Sequence, residues 1–279
     1  MCEFCVQHGD GKKWYLEASN YAYDLQSDLE RREYAIDFVQ GFSKRMPGNV
    51  KLLEIVKSAP RPVQRIFRAL TLPHQKKAHF GQPVPIEECE QIFDLATSIV
   101  QVPCVCRDFA GMPERGYCIA MTVTPQDEAL AEMFSGFADG PDTSALQRLT
   151  RAEASEVLQR CEDEGLMHSV WTFGTPFISA ICNCNLAAGC MAMRTTLEFG
   201  HKTMWKGEYV AEMNDEACRG CRACVERCPF SAISWDVEHK VAVIDPHACY
   251  GCGICRSACR FDAISLSARA SDVSLATDW

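Results

Sequence analysis

Eight cysteines, set out twice in the same spacing, constrain this chain more than any other feature. Cys218, Cys221, Cys224 and Cys228 read C-x2-C-x2-C-x3-C, and Cys249, Cys252, Cys255 and Cys259 repeat the pattern 31 residues later. Residues 217–235 (ACRGCRACVERCPFSAISW) and 248–266 (ACYGCGICRSACRFDAISL) agree at ten of nineteen positions without a gap, which marks an internal repeat. So short a stretch cannot bury a large apolar core, and bound metal must supply much of its stability. The chain has 18 cysteines and no basic-then-apolar leader. That combination points to metal ligands in a reducing cytoplasm rather than to disulfides.

The spacing, with Pro229 after the first set, resembles the bacterial two-[4Fe-4S] ferredoxin domain. Three cysteines at x2 intervals let one tight loop wrap one side of a cubane, with backbone N–H groups aimed at sulfur. The fourth opens a helical turn and reaches the other cluster. Cluster I is therefore expected on Cys218, Cys221, Cys224 and Cys259, and cluster II on Cys249, Cys252, Cys255 and Cys228. Gly220, Gly251 and Gly253 suit the tight turns. Four thiolates also suit zinc, so two zinc knuckles are the rival reading. Arg260 departs from the pattern, standing where the second repeat would carry proline.

The remainder divides by its punctuation. Helices are expected over 20–44, ended by Met46-Pro47-Gly48, over 49–58, over 63–70 and over 86–100, with a polar loop over 73–85 holding His74 and His79. Residues 117–123 read as a strand and 126–137 as a helix. Thr150-Arg151-Ala152-Glu153 is a capping box opening a helix that ends at Gly165. Residues 166–171 and 177–182 form a hairpin, and 189–198 a further helix. Cys89 and Cys161 fall inside helices and read as small core residues. The expected fold class is α+β: a mostly helical N-terminal domain over 1–200 with a short hairpin, a two-[4Fe-4S] ferredoxin-like domain over 207–266, and a mobile tail over 267–279.

Two further cysteine groups carry chemistry. Cys104, Cys106 and Cys118 form one, and Cys182, Cys184 and Cys190 the other. Each holds a C-x-C, whose side chains in extended chain point the same way about 6.6 Å apart, so the two groups together can offer four thiolates to a third iron–sulfur cluster or another metal. Six cysteines exceed one cubane's need, and the four ligands stay open. At the N-terminus Cys2, Cys5 and His8 offer three ligands for zinc or iron. The segments VPCVCR (102–107), EDEGLMHSVW (162–171) and ICNCNLAAGCMAMR (181–194), with MCEFC at the start, are similar to a family of cysteine-rich 4Fe-4S dicluster proteins of anaerobes. That resemblance implies electron transfer and a C-x-C-R domain ahead of the ferredoxin domain. It also draws notice to His168, which reads as a hydrogen-bonded core histidine or as a donor to a cluster sulfide.

No P-loop, G-x-G-x-x-G or G-x-S-x-G motif is present. The helix-then-hairpin order of a winged helix is weighed down by a net charge of −9, so no nucleic acid is expected. No apolar run approaches the roughly 18 residues of a membrane span. The function these features point to is single-electron transfer between a low-potential donor and a partner redox enzyme. A redox enzyme or reductive activator with substrate at the N-terminal metal site, and a redox-responsive regulator, are the alternatives. Arg256 and Arg260 are expected to form a basic spot that steers an acidic redox partner.

Overall fold

The computed structural model describes residues 13–114, 116–122 and 146–278. The expected helix over 126–137 and the Cys2, Cys5 and His8 group lie outside them. The fold is α+β, with a helical N-terminal region, antiparallel strands and a ferredoxin-like unit at the C-terminus.

Two 3-10 turns, Trp14–Leu16 and Ala18–Tyr21, bury Trp14, Tyr15 and Tyr21. A short α1 (Tyr23–Ser27) leads to α2 (Leu29–Ser58), capped by Asp28, whose carboxylate accepts the Arg31 N–H at 2.9 Å. The expected stop at Pro47 does not occur, and α2 runs straight through it. Pro47 and Ser43, whose carbonyl loses its helical donor, both sit on an exposed stretch where water can take over the bond. The same correction applies to α3 (Arg61–Ala78), which passes Pro73 and absorbs residues 73–78 of the expected loop. Only Ala35, Val39 and Phe42 of α2 are buried, and no residue of α3 is.

Strand β1 (Gly81–Pro83) and α4 (Ile86–Leu95) follow, then β2 (Ser98–Val102) in place of the last turn of the expected 86–100 helix. A short α5 (Val105–Phe109) precedes β3 (Cys118–Thr122). After β4 (Gln147–Leu149) comes α6 (Arg151–Glu164), opened by the Thr150–Glu153 capping box and closed by Gly165 at φ +82°. The hairpin β5 (Met167–Thr172) and β6 (Ile178–Cys184) and helix α7 (Met191–Leu197) complete this region.

The hairpin is the centre of a six-stranded antiparallel sheet in the order β1-β5-β6-β3-β2-β4. One face packs Ile119, Met121 and Ile181 against Ile92, Phe93, Val157 and Leu158 of α4 and α6. Cys89 and Cys161 are fully buried in this core. The other face, holding Val100, Val102, Cys118 and Ala120, meets Val39 of α2. Strand alternation thus sends one set of side chains to the main core and leaves Cys118 and Cys182 on the α2 side.

In the C-terminal unit β7 (Tyr209–Met213) pairs with β10 (Ile264–Ala268), and β8 (Ile233–Asp236) pairs with β9 (Val241–Ile244). Helices α8 (Ala223–Arg227) and α9 (Ile254–Ser257) follow the two cysteine loops. The segment after Ser267, expected as a mobile tail, is packed instead. Arg269 is 0% and Leu275 1% exposed, and Asp278 pairs with Lys206 at 2.6 Å. The two regions share one core, because Phe230, Cys252 and Ile254 belong to the same buried cluster as Cys184 and Cys190. Among the described residues no helix is long and apolar enough to cross a membrane.

Candidate metal centres

The sequence repeat is a repeat of backbone strain as well. Gly220 and Gly251 have φ of +69° and +72°, Arg222 and Gly253 +64° and +81°, and Ser231 and Asp262 +54° and +50°. Each pair is separated by the repeat length. Arg222 holds its left-handed conformation without a glycine and lays its guanidinium 4.4 Å from the Trp235 ring centroid. The cysteine contacts repeat too: the Ala232 N–H points at Cys228 Sγ and the Ala263 N–H at Cys259 Sγ, both at 3.4 Å. In the second loop the N–H groups of Gly251 and Ala211 lie 3.4 and 3.5 Å from Cys249 Sγ.

Cys218, Cys221, Cys224 and Cys259 line one small pocket, so the fourth cysteine of the second set lies with the first three of the first set. In the complementary group, burial pushes the Cys255 thiol up to about 12, with the charges of Cys249 and Cys228 adding to the effect. Burial likewise drives Cys252 well up, with Cys255, Cys249 and Cys228 as its charged neighbours. A group of thiols that burial and mutual repulsion hold protonated fits a bound cation, which would supply the missing positive charge. The backbone donors around Cys249, Cys228 and Cys259 fit it equally.

Residues 198–270 match the 4Fe-4S dicluster domain family. No curated protein matches the chain. The dicluster domain is an iron–sulfur, electron-transferring one, and the matched segment contains all eight repeat cysteines while leaving the other cysteines outside it.

Arg269, at the end of the dicluster domain, was not singled out by the sequence. Its buried guanidinium donates to the carbonyls of Gly207, Tyr209 and Cys249 at 3.0, 2.9 and 2.7 Å. It ties the second cysteine loop to β7. Arg256 is structural as well. Its two terminal nitrogens bind both Glu87 oxygens at 2.8 and 2.7 Å, clamping α9 to α4. That corrects the expected Arg256–Arg260 steering spot, since Arg256 is committed to Glu87 while Arg260 is exposed.

The N-terminal region brings Cys104, Cys106, Cys118, Cys182, Cys184 and Cys190 to the wall of one cavity of about 660 Å³ between α2, α3 and the sheet. Sheet register does half of this, because β3 lies beside β6 and sets Cys118 Sγ 3.7 Å from Cys182 Sγ. Helix caps do the rest: Cys104 is the N-cap of α5 and Cys190 the N-cap of α7. Thiol donation from Cys106 and Cys118 holds Cys104 well below the usual thiol range despite its burial, and the N–H groups of Arg107 and Cys106 assist. Donation from Cys184 lowers Cys190 in the same way, with the N–H groups of Met193 and Ala192 adding to it. Cys106, Cys118 and Cys184 are raised by these hydrogen bonds together with burial. Cys104 and Cys190 are therefore the thiols these contacts favour for deprotonation, within a donor set suited to iron or another soft-to-borderline metal.

Supporting residues fix these strands. His168 is fully buried and donates from Nδ1 to Asn183 Oδ1 at 2.7 Å, and Asn183 donates in turn to the Tyr117 carbonyl at 2.7 Å. Burial pushes His168 down to about 4, so it is a neutral core histidine that pins the residue between Cys182 and Cys184. Arg107 of the C-x-C-R motif is buried with its guanidinium 3.5 Å from the Tyr117 ring centroid. The motif's arginine thus holds α5 against β3. Among the described residues no three Cys, His, Asp or Glu side chains are drawn tightly enough to grip one bare ion. A cubane sets a different requirement, because each thiolate binds its own iron.

Proposed function

We propose that this protein carries single electrons through two [4Fe-4S] clusters of its dicluster domain to a third metal centre on the six-cysteine site. Cys218, Cys221, Cys224 and Cys259 would hold cluster I, and Cys249, Cys252, Cys255 and Cys228 cluster II, with four of Cys104, Cys106, Cys118, Cys182, Cys184 and Cys190 at the third. The clusters would supply reversible one-electron redox change. The observation that carries the reading is the shared core: Cys252 packs in the same apolar cluster as Cys184 and Cys190. Cys221 of the other set is exposed. This supports a path that enters from a partner redox protein near cluster I and proceeds inward through cluster II. None of the described cysteines is paired in a disulfide, in keeping with ligand cysteines in a reducing compartment such as the cytoplasm.

An anaerobic reductive titration of the full chain, followed by visible bleaching and EPR, tests this. Two cubanes accept about two electrons, and a third redox centre raises the uptake above that. Uptake that stops at about two overturns the third centre, and no bleaching overturns the iron–sulfur reading altogether.

A further inference from the structure

The cavity above the six cysteines is far larger than a metal centre needs. Its volume of about 660 Å³ lies in the range of ordinary small-molecule sites, roughly 300–1,000 Å³, whereas a cubane is a cube only a few ångström on an edge. Its walls are apolar and aromatic, with Phe42, Leu53 and Phe67 from the two long helices and Trp171 from the sheet. No carboxylate lines it among the described residues, while Arg31 and Arg32 do. The helical hairpin at its mouth is basic: residues 51–78 carry seven Lys and Arg against the single acid Glu54, in a chain of net charge −9. Leu52 and Leu70 on the rim are 48% and 74% exposed.

Three histidines line the cavity, His74, His79 and His201, and the last two carry the argument. His79 donates from Nδ1 to the Thr172 carbonyl at 2.6 Å, and its ring packs 4.5 Å from Phe38 and 5.0 Å from Trp171, centroid to centroid. Burial pushes it down to about 4, so the ring is neutral and Nε2 is an acceptor. His201 is 8% exposed, and its buried Nδ1 has no hydrogen-bond partner among the described residues. Both line the cavity. A buried polar atom without a partner in a native fold calls for a ligand or water to satisfy it.

We infer that this cavity binds an uncharged or anionic aromatic molecule bearing a hydroxyl or carbonyl group, its ring among the aromatic walls and its oxygen at the histidines, beside the six-cysteine floor. A cation would enter against the basic mouth and find no carboxylate inside. Such a ligand would sit next to the third centre of the proposed electron path, so its role rests on that reading, but its binding does not.

The test uses full-length protein purified without oxygen, with equilibrium dialysis and tryptophan quenching as readouts. The probes are 2-naphthol, 6-hydroxy-2-naphthoate, naphthalene and 2-naphthylmethylammonium. The first two should bind saturably at one per chain. Naphthalene should bind roughly tenfold more weakly for want of the hydrogen bond, and the ammonium should not bind. Thr71→Trp, on a helix with no buried residue, should fill the space and abolish binding. His201→Phe should weaken 2-naphthol by about tenfold while leaving naphthalene unchanged, which a misfolded variant would not do. Equal, non-saturating uptake of all four probes, or equal binding by Thr71→Trp, overturns the inference. Iron analysis on the same samples keeps the two readings apart. Binding without a third centre sinks only the centre, and a third centre without binding sinks only the ligand.

Discussion

Gly251 offers the sharpest test of how the second cysteine loop is seated. Its φ is +72°, and a Cβ there would lie 2.1 Å from the Tyr209 carbonyl oxygen and 2.8 Å from its carbonyl carbon, both backbone atoms of β7. That carbonyl already accepts Arg269, so it cannot swing away freely. Gly251→Ala incurs the left-handed penalty of roughly 1–2 kcal/mol. Displacing a packed backbone adds roughly 1–3 kcal/mol. The total, on the order of 2–5 kcal/mol, is a large part of a typical stability of about 5–15 kcal/mol. Gly111 supplies the control, with φ +68° and nothing within 4 Å of its Cβ position, so Gly111→Ala should cost only the conformational part. Urea unfolding under anaerobic conditions measures both, with the slopes compared to ensure that the unfolded states match. The substitution at Gly251 should also loosen the Cys249 loop and cost the protein about four iron atoms, which the control keeps. Equal destabilisation by the two substitutions would show that the close approach to Tyr209 is not as described, and the reasoning would fail.

Further expectations follow from the same geometry. Cys228→Ala should damage the EPR signal of cluster II and Cys259→Ala that of cluster I, each the cluster remote in sequence; damage to the nearer cluster would reverse the ligand sets. His79 titrates near 4 when folded and near 6.5 when unfolded, so the unfolded chain takes up the proton first. Its contribution to stability is intact above pH 6.5 and is lost as pH falls from there toward 4, by up to about 3 kcal/mol. His79→Phe should flatten that part of the pH–stability curve, and an unchanged slope would count against a buried neutral ring. Glu87, held below its usual range by Arg256, should add stability above its unfolded value and lose it in more acidic solution. Because the pair is partly exposed, Glu87→Gln should cost no more than about 1 kcal/mol by urea unfolding at neutral pH.

The cysteine repeat was legible because a metal site leaves its geometry in residue spacing. The Thr150 capping box and the 166–184 hairpin were legible for a similar reason, since their signals are local. The errors came where a local signal met a non-local answer. Pro47 and Pro73 look like helix stops, yet they sit on exposed stretches of helix, where water can take over the hydrogen bonds they remove. Ile99 and Val100 extend an apparent helix, but their partners in β3 and β4 come from residues 118–122 and 147–149. The six cysteines could be grouped from their pattern, whereas their meeting in one cavity depends on β3 lying beside β6. His79 and His201 carry no motif at all. Their interest arises from burial and from an atom left without a partner, which only three-dimensional packing reveals. The tail misled because Leu275 and Arg269 gain their places from β7 and the Cys249 loop rather than from each other.

The central claim is that the six cysteines of the N-terminal region hold a metal centre beyond the two of the dicluster domain. Iron and acid-labile sulfide, measured per chain on anaerobically reconstituted protein, test it when wild type is compared with a Cys104→Ala, Cys106→Ala, Cys184→Ala, Cys190→Ala variant. The account predicts about 12 iron atoms in the wild type if the third centre is a cubane, falling to about 8 in the variant, with both dicluster EPR signals retained. About 8 in both proteins would contradict it.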